Sequence, residues 1–586
     1  SASSTNFNYG FPTPGPQSPT GQRIMDHVFF LSNEKWKNAR EEGNFDFVVI
    51  GTGFCCLAFI EQAFKQNPDC RILVIERGPF FLPEHFQNLP LPFVNTLGGL
   101  SETFPWTISA TTASGKGGTI RWQHGMVPFF GGRSTVWSAW CPRPTEEEMD
   151  GWPQNTIDAA HNYFESAEKL LRVQGADEID GDKNNTILQF IRRRRPVYGA
   201  LQQRIQDLLK TGATCIKGIY RTEAAPLASG AEHIDGIDFQ KFSTPGEILA
   251  IATKQAELNR QKKGAALSIV TECVVEKIIQ QDGLATALQT SRGVLPLGNA
   301  KLILAMGTLP PTTLISNSFP EATKVGKRFS AHFITAIVAR VPKKDLDPNE
   351  EFGELELGAC YVAGKCNNYQ QQYHIQLSAM WDEKAIENAE TALRYMPDVV
   401  ATASQAQLQS SQDHVVFVCA VLGELDYQNS DNWFLPNKQD TDITTNSLLQ
   451  VTESQKDRKT WDAMDEATFS VLEQVLSPKG SEQVEYWHGT PEKGEWKYEQ
   501  PSKKQRRVDA LVHESSTLHI GEDDTAPVDL NYKLRGSKNV FITGAALWPQ
   551  GGSWNPTMVM VALAQDLADK LTPKKVSTQA LKKETI

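Results

Sequence analysis

A buried strand that runs directly into a glycine turn constrains the fold of this chain more than any other feature. Residues 45–50, Phe-Asp-Phe-Val-Val-Ile, are typical of a strand buried on both faces of a parallel sheet. Gly51-Thr52-Gly53 ends this strand, residues 57–66 have the pattern of a helix, and residues 71–76, Arg-Ile-Leu-Val-Ile-Glu, have the pattern of a second buried strand. Such a β–α–β unit predicts an α/β fold built on a doubly wound, Rossmann-like parallel sheet.

The turn and the second strand also carry the residues of a dinucleotide-binding site. Gly51 permits a tight turn, and Gly53 allows a pyrophosphate to approach the first N–H groups of the helix. Glu76 can accept hydrogen bonds from an adenosine ribose and disfavours a ribose phosphate. NAD and FAD both fit this geometry, and an ordinary glycine turn is the structural alternative. The predicted nucleotide contacts are Gly51, Thr52, Gly53, Phe54, Cys56, Glu76 and Arg77.

Composition excludes several classes of protein. The 586 residues carry 58 basic and 69 acidic side chains, and the net charge of −11 gives no positive field that would attract nucleic acid. No apolar run approaches the roughly 18–20 residues that a membrane-spanning helix needs. The nine cysteines contain no C-x-x-C pair, so neither a disulfide framework nor a metal site is predicted. Nothing in the composition indicates a cellular compartment or an oligomeric state.

The rest of the chain predicts two domains of different construction. Period-two alternation at residues 374–378 and 414–425 predicts antiparallel strands with one face solvated or lining a cavity. Residues 156–171 have helical periodicity, and residues 268–279 and 300–306 return to strand-like runs. This alternation indicates insertions into one sheet domain, so the α/β class has α+β character overall. The predicted nucleotide-binding domain is discontinuous and consists of residues 23–150, 246–330 and 505–575. The predicted substrate-binding domain, of mixed sheet and helices, consists of residues 151–245 and 331–504. Residues 1–22 are predicted to be an N-terminal tail and residues 576–586 a C-terminal tail.

Further motifs follow the glycine turn along the chain. They are Gly131-Gly132-Arg133-Ser134-Thr135-Val136-Trp137-Ser138, residues 302–318 with Ala305 and Gly307, residues 325–332, residues 513–521, and residues 539–549 followed by Asn555-Pro556-Thr557. In sequence and order these motifs resemble the signatures of the glucose–methanol–choline (GMC) family of flavin oxidoreductases, and most closely its pyranose 2-oxidase branch. The long intervals between the motifs carry almost no recognisable signal.

The resemblance implies FAD as the cofactor and the oxidation of a CH–OH group as the reaction. The substrate is then a sugar, a polyol or another small-molecule alcohol, and oxygen or a quinone-type compound accepts the electrons. The resemblance also implies further contacts with the cofactor. These are Gly132, Arg133, Ser134, Val136, Trp137, Ser138, Val275, Ala305, Gly307, Gly544, Ala545, Pro556 and Thr557.

The catalytic candidates are a histidine and an asparagine near the C-terminus. Alcohol oxidation needs a group that accepts the hydroxyl proton, and histidine titrates in the right range. The resemblance assigns this role to His513 and makes Asn555 its partner on the same substrate oxygen, although each residue by itself is more often structural. The helix that starts at residues 555–557 can stabilise negative charge on the flavin. His519, six residues after His513, is expected to lie behind this pair.

One departure from the branch concerns how the flavin is held. The glycine loop of the branch commonly carries a histidine bound covalently to the flavin, and Val136 at that position cannot form such a bond. We therefore expect FAD to be bound non-covalently, with Cys141 and His124 as the only local nucleophiles that could substitute. Ser515 and Ser516 stand where glycines are usual, so the pocket near the flavin ring is expected to differ from that of the branch.

The main prediction is an FAD-dependent oxidoreductase that removes a hydride from a CH–OH group, with His513 as proton acceptor and Asn555 as its partner. Two alternatives stay open: a GMC-type flavoprotein with a non-redox, lyase-like activity, and a catalytically silent flavin-binding protein. The histidine–asparagine pair favours oxidation. We expect no nucleic acid partner, no membrane span and no metal.

Overall fold

The computed structural model describes residues 20–88, 102–118, 120, 122–123, 125–179, 187, 197–230, 239–366, 370–387, 395–397 and 404–576. Most of the two predicted tails lies outside these ranges, and the first described helix already begins at Gly21. Two large sheets organise the described chain, one of them parallel and the other mainly antiparallel.

Short strands and helices alternate along the chain. The strands are β1 (Phe47–Ile50), β2 (Ile72–Ile75), β3 (Thr107–Ile108), β4 (Trp122–Gln123), β5 (Val173–Gly175), β6 (Ile219–Ala224), β7 (Pro226–Ala228), β8 (Ser268–Val270), β9 (Val275–Gln281), β10 (Leu284–Thr290), β11 (Gly293–Pro296), β12 (Lys301–Leu304), β13 (Ser330–Pro342), β14 (Leu355–Lys365), β15 (Gln372–Asp382), β16 (His414–Glu424), β17 (Trp433–Pro436), β18 (Ser447–Gln450), β19 (Glu485–Gly489), β20 (Gly494–Lys497), β21 (Arg507–Ser515) and β22 (Val540–Ile542). The α-helices are α1 (Gly21–Val28), α2 (Asn33–Glu42), α3 (Phe54–Gln66), α4 (Ala110–Ser114), α5 (Gln154–Leu171), α6 (Ala200–Gly212), α7 (Thr244–Arg260), α8 (Leu309–Ser318), α9 (Lys343–Leu346), α10 (Gln405–Leu408), α11 (Gln455–Ser470), α12 (Lys503–Arg506) and α13 (Thr557–Leu571). Within the described ranges, no helix has both the length and the apolar character needed to cross a membrane.

The parallel sheet is the frame of the nucleotide-binding part. Its five strands run in the order β22-β12-β1-β2-β8, and every neighbouring pair is parallel. All residues of β1 and β2 are buried, which explains why both strands are continuous apolar runs rather than alternating ones. The chain leaves β1 toward β2 on one side and later adds β12 on the other side. The predicted doubly wound parallel sheet is therefore confirmed.

The strand predicted at residues 268–279 is in fact two strands in different sheets. β8 ends at Val270 in the parallel sheet, and β9 begins at Val275 in a three-stranded antiparallel sheet with β10 and β11. Between them, Glu272 has a φ of +51°, a left-handed conformation that breaks a strand. The break has no glycine or proline to mark it, so the apolar run reads as one strand in the sequence.

The large sheet has nine strands and carries the other part of the fold. Its long strands β13, β16, β15 and β14 pair antiparallel in that order. The period-two segments at residues 374–378 and 414–425 lie in β15 and β16, as predicted. β21 also pairs with β13, although the sequence prediction assigns residues 505–575 to the nucleotide-binding domain. For this strand the boundary differs, because a local pattern does not reveal which sheet a strand between two domains will join.

Three tryptophans hold the segment that leads into α13. Trp548 and Trp554 belong to this segment, Trp152 precedes α5, and the three ring centroids lie 5.0 to 5.9 Å apart. Trp152 Nε1 also donates a hydrogen bond to the carbonyl of Gln550 (3.0 Å). Buried aromatic rings of this kind each stabilise a fold by about 2–3 kcal/mol. The backbone that precedes Asn555 is consequently packed against the entry to α5.

Candidate active site

The glycine turn after β1 packs against the end of β12. Gly51 has a φ of +107°, and a Cβ atom placed on it would lie 2.1 Å from the carbonyl oxygen of Ala305. Only glycine fits this position. Thr52 Oγ1 donates a hydrogen bond to Glu76 Oε1 (2.7 Å) and accepts one from the N–H of Gly131 (2.9 Å). Thr52 therefore joins the turn, the end of β2 and the glycine loop.

Glu76 is buried at the end of β2, where the sequence predicts an adenosine ribose. Its Oε2 accepts a hydrogen bond from the N–H of Gly78 (2.7 Å). Burial raises the pKa of Glu76, and the hydrogen bonds from Gly78 and Thr52 oppose that rise. An ionised carboxylate has about four acceptor positions, so the three protein donors, Thr52 and the N–H groups of Arg77 and Gly78, leave room for a ribose hydroxyl. The N–H of Cys273 bonds to the Glu76 carbonyl (3.0 Å), which brings the start of β9 with Val275 near the same place.

Open space borders the backbone of three glycines. A Cβ atom added at Gly53 or Gly307 would meet no atom within 4 Å, and one added at Gly544 would have its nearest contact at 3.9 Å. Helix α3 follows Gly53 and helix α13 follows Pro556, both without a side-chain N-cap. Uncapped helix starts leave N–H groups that need an acceptor, which a phosphate or another negative group supplies. These residues fit an FAD molecule.

Other predicted cofactor residues differ in their surroundings. Cys56 is fully buried, as close packing of α3 on the sheet requires, and burial raises the pKa of its thiol. Arg77 is exposed. The carbonyl of Ala545 accepts a hydrogen bond from the N–H of Ser516 (3.1 Å). Ser516 has a φ of +78°, so the backbone does adopt a glycine-like conformation where the resemblance leads one to expect a glycine.

The glycine loop forms a turn of 3₁₀-helix that is held by its neighbours. Ser134 Oγ donates to the carbonyl of Gly131 (2.6 Å) and contacts Thr244 Oγ1 (3.0 Å). Trp137 packs with its ring edge toward Phe54 of α3, with centroids 4.6 Å apart. The loop therefore lies beside the start of α3, where the sequence places the cofactor.

The residues relevant to covalent flavin attachment lie in or near this loop. Val136 and Ser138 are half-buried. Cys141 is completely buried, and burial raises the pKa of its thiol, which makes it a poor nucleophile. His124 lies outside the described residues. Among the described residues, nothing in this loop favours a covalent bond to flavin.

His513 lies on β21 at an irregularity in the pairing with β13. The register shifts between Ser330 and His332, and His513 has a φ of +61°. Its Nδ1 lies 2.8 Å from Nδ1 of His332. The next residue, Glu514, forms an ion pair with Arg133 of the glycine loop (3.0 Å). The segment around His513 is thus held by β13 on one side and by the glycine loop on the other.

His332 is buried and uncharged at neutral pH. Burial, followed by the nearby His374, lowers its pKa to about 3. Hydrogen bonding to the backbone of Gly551 and Gly552 opposes this shift. A backbone group raises the pKa of a histidine only when it accepts a proton from the ring, so these contacts involve carbonyl oxygens.

Asn555 is buried just before α13, with 6 % of its surface exposed. Its Nδ2 donates a hydrogen bond to Oε1 of Gln376 (2.9 Å). Its Oδ1 has no hydrogen-bond partner among the described residues. Because buried polar atoms normally have partners, this oxygen marks a place where a ligand can bind.

His374 and Gln376 extend this network along β15. Nε2 of His374 lies 3.0 Å from Oε1 of Gln376, and its Nδ1 lies 3.3 Å from Oγ of Ser553. The imidazole stacks on the ring of Tyr361 with centroids 4.6 Å apart. Burial lowers the pKa of His374 to about 4, so this histidine is also neutral.

Residues 551–553 connect the two catalytic candidates. The backbone at the start of this segment contacts His332, which is bonded to His513. Ser553 at its end contacts His374, which belongs to the network of Asn555. The structure therefore brings residues from β21, β13, β15 and the start of α13 into one hydrogen-bonded set.

Sequence reasoning misses three members of this set: His332, His374 and Gln376. The alternation at residues 374–378 contained a usable signal, since it put two polar side chains on one face of a strand that was predicted to line a cavity. His332 ends a motif with no feature that distinguishes it from a structural histidine. Contact with His513 depends on the pairing of β13 with β21, which spans 181 residues of sequence.

His519, which the sequence analysis places behind the pair, lies in the segment between β21 and β22. It is buried beside Arg328, and burial followed by this cation lowers its pKa to about 3. Its Nδ1 has no hydrogen-bond partner in the described part of the chain. Over the same residues, no group of three or more His, Cys, Asp or Glu side chains is arranged to hold a metal ion.

Comparisons with known proteins give one family match and one match of fold. Residues 423–564, which include both catalytic candidates, match the family model described as GMC oxidoreductase. The chain also resembles the crystal structure of pyridoxine 4-oxidase from Mesorbium loti, with a TM-score of 0.53 and 14% sequence identity, over 90% of this chain and 99% of that chain. At this identity the second match shows a shared fold. A search of curated protein sequences finds no match.

The family match also indicates the class of enzyme. GMC oxidoreductases are flavoproteins that use FAD, and the matched segment carries the start of α13 together with β21. The protein is an FAD-dependent oxidoreductase with an α/β fold, and FAD is its cofactor. The pyranose 2-oxidase branch is not distinguished by these matches.

Proposed function

We propose that this enzyme oxidises an alcohol by removing a hydride from the carbon that bears the hydroxyl, with His513 as the proton acceptor and Asn555 as its partner. The observation that carries the proposal is the hydrogen-bonded set that joins these two residues through residues 551–553. A histidine and an amide that act on one substrate oxygen must be held in a fixed relation, and a shared network of buried groups provides this.

The cofactor would be held by the glycine turn at residues 51–53, by Glu76, by the glycine loop and by the start of α13. FAD supplies a two-electron acceptor for the hydride when it is bound. The uncapped start of α13 favours negative charge beside it, because the first N–H groups of a helix carry partial positive charge. With Val136 in the glycine loop, the cofactor is bound without a covalent link.

His332 prepares His513 for its role as a base. The carbonyls of Gly551 and Gly552 accept the proton of His332, and since Nδ1 faces His513, Nε2 is the nitrogen that donates to them. The neutral His332 then has a lone pair on Nδ1, which accepts a hydrogen bond from Nδ1–H of His513. This tautomer leaves the lone pair of His513 on Nε2, where it can take the hydroxyl proton of a substrate.

Asn555 contributes a donor to the same substrate oxygen. One N–H of its amide is bonded to Gln376 (2.9 Å), which fixes the plane of the amide. The second N–H can donate to the oxygen as it becomes an alkoxide, and the unpartnered Oδ1 can accept from another substrate group.

The neutrality of the surrounding histidines supports proton acceptance by His513. His332 and His374 both have lowered pKa values, about 3 and about 4, because they are buried. Neither therefore adds a positive charge beside His513 when it becomes protonated. Like charges in a buried site would otherwise oppose that step.

An anaerobic substrate screen tests the proposal. Purified holoenzyme is mixed with alcohols of several classes, with sugars included because of the resemblance to the pyranose 2-oxidase branch, and the visible absorbance of the flavin is followed. Bleaching by at least one alcohol is the expected result. A protein that binds FAD and forms product without bleaching would have a non-redox activity, and one that shows neither would be a silent flavin-binding protein. Both outcomes contradict the proposal.

A further inference from the structure

The floor of the site between the two catalytic candidates is formed by β13 and β16. Directly paired residues of an antiparallel sheet have their side chains on the same face. Ala336 pairs with Ala420, which in turn pairs with Gln376, the partner of Asn555. Ile334 pairs with Leu422 one row closer to His332. The line from His332 to Gln376 therefore crosses four apolar side chains, here called the apolar strip: Ile334, Ala336, Ala420 and Leu422.

The apolar strip borders space rather than a packed core. Ile334 and Ala336 are only partly buried in the middle of a nine-stranded sheet, and Ala420 and Leu422 are buried with 5 % of their surface exposed. The apolar cores formed by the described residues do not include any of the four. Two adjacent alanines between larger neighbours also form a recess, because a methyl group is shorter than the side chains of the flanking rows.

Several polar side chains on the same face are engaged with one another. His374 and Gln376 share a hydrogen bond, and Gln376 also accepts from Asn555. Glu424 accepts a hydrogen bond from the N–H of Gln372 (3.0 Å) and further ones from the segment before α13. Among the described residues, Oδ1 of Asn555 has no hydrogen-bond partner, and neither do Oε1 of Gln372 and Oγ of Ser378 on the same face of β15. Gln372 and Ser378 lie one row beyond the two ends of the strip, so the strip itself offers no polar partner.

The four apolar side chains of the strip favour one class of substrate over another. A sugar brings several hydroxyl groups, and each one buried without a partner costs about 1–3 kcal/mol. An aromatic or branched alkyl group gains free energy when it covers apolar side chains. A substrate whose single hydroxyl reaches His513 and Asn555 would place the rest of its structure over the strip.

We propose that the substrate is a primary or secondary alcohol with an apolar, ring-sized body that lies on Ile334, Ala336, Ala420 and Leu422. This inference rests on the proposed function. The carbinol carbon loses a hydride, that is, two electrons and one proton, to FAD, and the hydroxyl proton goes to His513. The product is an aldehyde or a ketone, and oxygen or a quinone-type acceptor reoxidises the flavin.

The wild-type holoenzyme provides the first test. Aryl-methanols such as benzyl alcohol are compared with glucose and sorbitol in anaerobic flavin reduction. The quantity compared is the rate constant of flavin reduction divided by the dissociation constant of the substrate. Because an aromatic ring is buried on binding, this ratio should be at least about 10–100-fold higher for the apolar alcohols. Binding is measured separately with 2-phenyl-2-propanol, a tertiary alcohol that has no carbinol hydrogen and cannot be oxidised. Calorimetry should show binding with a negative heat-capacity change, the mark of apolar burial.

A variant locates the binding surface. Ala336→Phe fills the recess and should weaken the binding of 2-phenyl-2-propanol by about tenfold or more, with the FAD content unchanged. Ala322→Phe, the same change at a half-buried alanine outside the strip, should leave binding unchanged. Unaltered affinity in Ala336→Phe, with the protein folded and loaded, would overturn the assignment of the strip.

The outcomes separate this inference from the proposed function. Flavin reduction by sugars but not by apolar alcohols would overturn the substrate class and leave the catalytic proposal intact. Failure of every alcohol to reduce the flavin would overturn both. Reduction by apolar alcohols, together with weakened binding in Ala336→Phe, supports both.

Discussion

Replacement of His332 by phenylalanine removes the acceptor that we assign to the Nδ1–H of His513. The two nitrogens are 2.8 Å apart and His332 is buried, so water does not readily replace the lost partner. Hydrogen bonds to a charged group contribute about 1.5–3 kcal/mol, and this bond is strongest when His513 is protonated. His332→Phe should therefore slow flavin reduction by roughly 10–100-fold.

The pH dependence gives the direction of the effect on His513. The base must be unprotonated to accept a proton, so the reduction rate rises with pH through its pKa. The hydrogen bond that His332 accepts stabilises the protonated form of His513, and His332→Phe removes this stabilisation. In His332→Phe the rising limb of the pH profile should therefore move to lower pH.

The assay is anaerobic stopped-flow reduction of holoenzyme with matched FAD content over a range of pH. His332→Asn is the matched control, because its amide oxygen can lie near the position of Nδ1 and accept the same hydrogen bond. We expect His332→Asn to recover most of the reduction rate and the pH dependence of the wild-type enzyme. Wild-type rates and an unshifted limb in His332→Phe would refute the tautomer assignment, and equal losses in both variants would indicate a purely structural role.

Three further predictions concern cofactor binding and stability. Glu76→Arg should lower FAD occupancy after dialysis, because it replaces a buried acceptor bonded to Thr52 with a side chain that only donates; full occupancy would contradict the ribose role. Because Val136 cannot bond to flavin, acid precipitation should release intact FAD, and a flavin-modified peptide in a mass spectrum would contradict this. Burial raises the pKa of Glu424 to about 7 from its usual 4.5, so the folded state retains a proton that the unfolded chain loses, and stability falls as pH rises between these values. Glu424→Gln should remove this fall. Above pH 7 its free energy of unfolding, measured with denaturant, should gain up to about 3 kcal/mol relative to the wild type. Parallel pH profiles of the two proteins would contradict the raised pKa of Glu424.

The nucleotide-binding half could be predicted from local sequence because its signals are local. Residues 47–50 and 72–75 are apolar throughout, and they are the strands β1 and β2 of the structure. Gly51 must be glycine because of its φ of +107° and the nearby Ala305 carbonyl, and a turn of this kind is visible in sequence. The break between β8 and β9 was not visible, since the left-handed Glu272 carries no glycine or proline signal.

The candidate site was predictable only in part, because it is assembled by long-range pairing. The resemblance to a family identified His513 and Asn555, whereas neither residue type nor spacing would have done so alone. His332 becomes a neighbour of His513 through the pairing of β13 with β21. Gln376 reaches Asn555 across 179 residues of sequence. The apolar strip likewise depends on the register of β13 against β16, which no local pattern specifies.

The most direct test of the central claim is the rate of anaerobic flavin reduction in His513→Ala with a substrate that reduces the wild-type enzyme. His513 is half-buried on β21, so the smaller side chain is expected to leave the fold and the FAD content unchanged. Loss of a general base predicts a reduction rate lower by about 10²–10⁴-fold. Near-normal reduction in a fully loaded variant would contradict the role of His513 as proton acceptor.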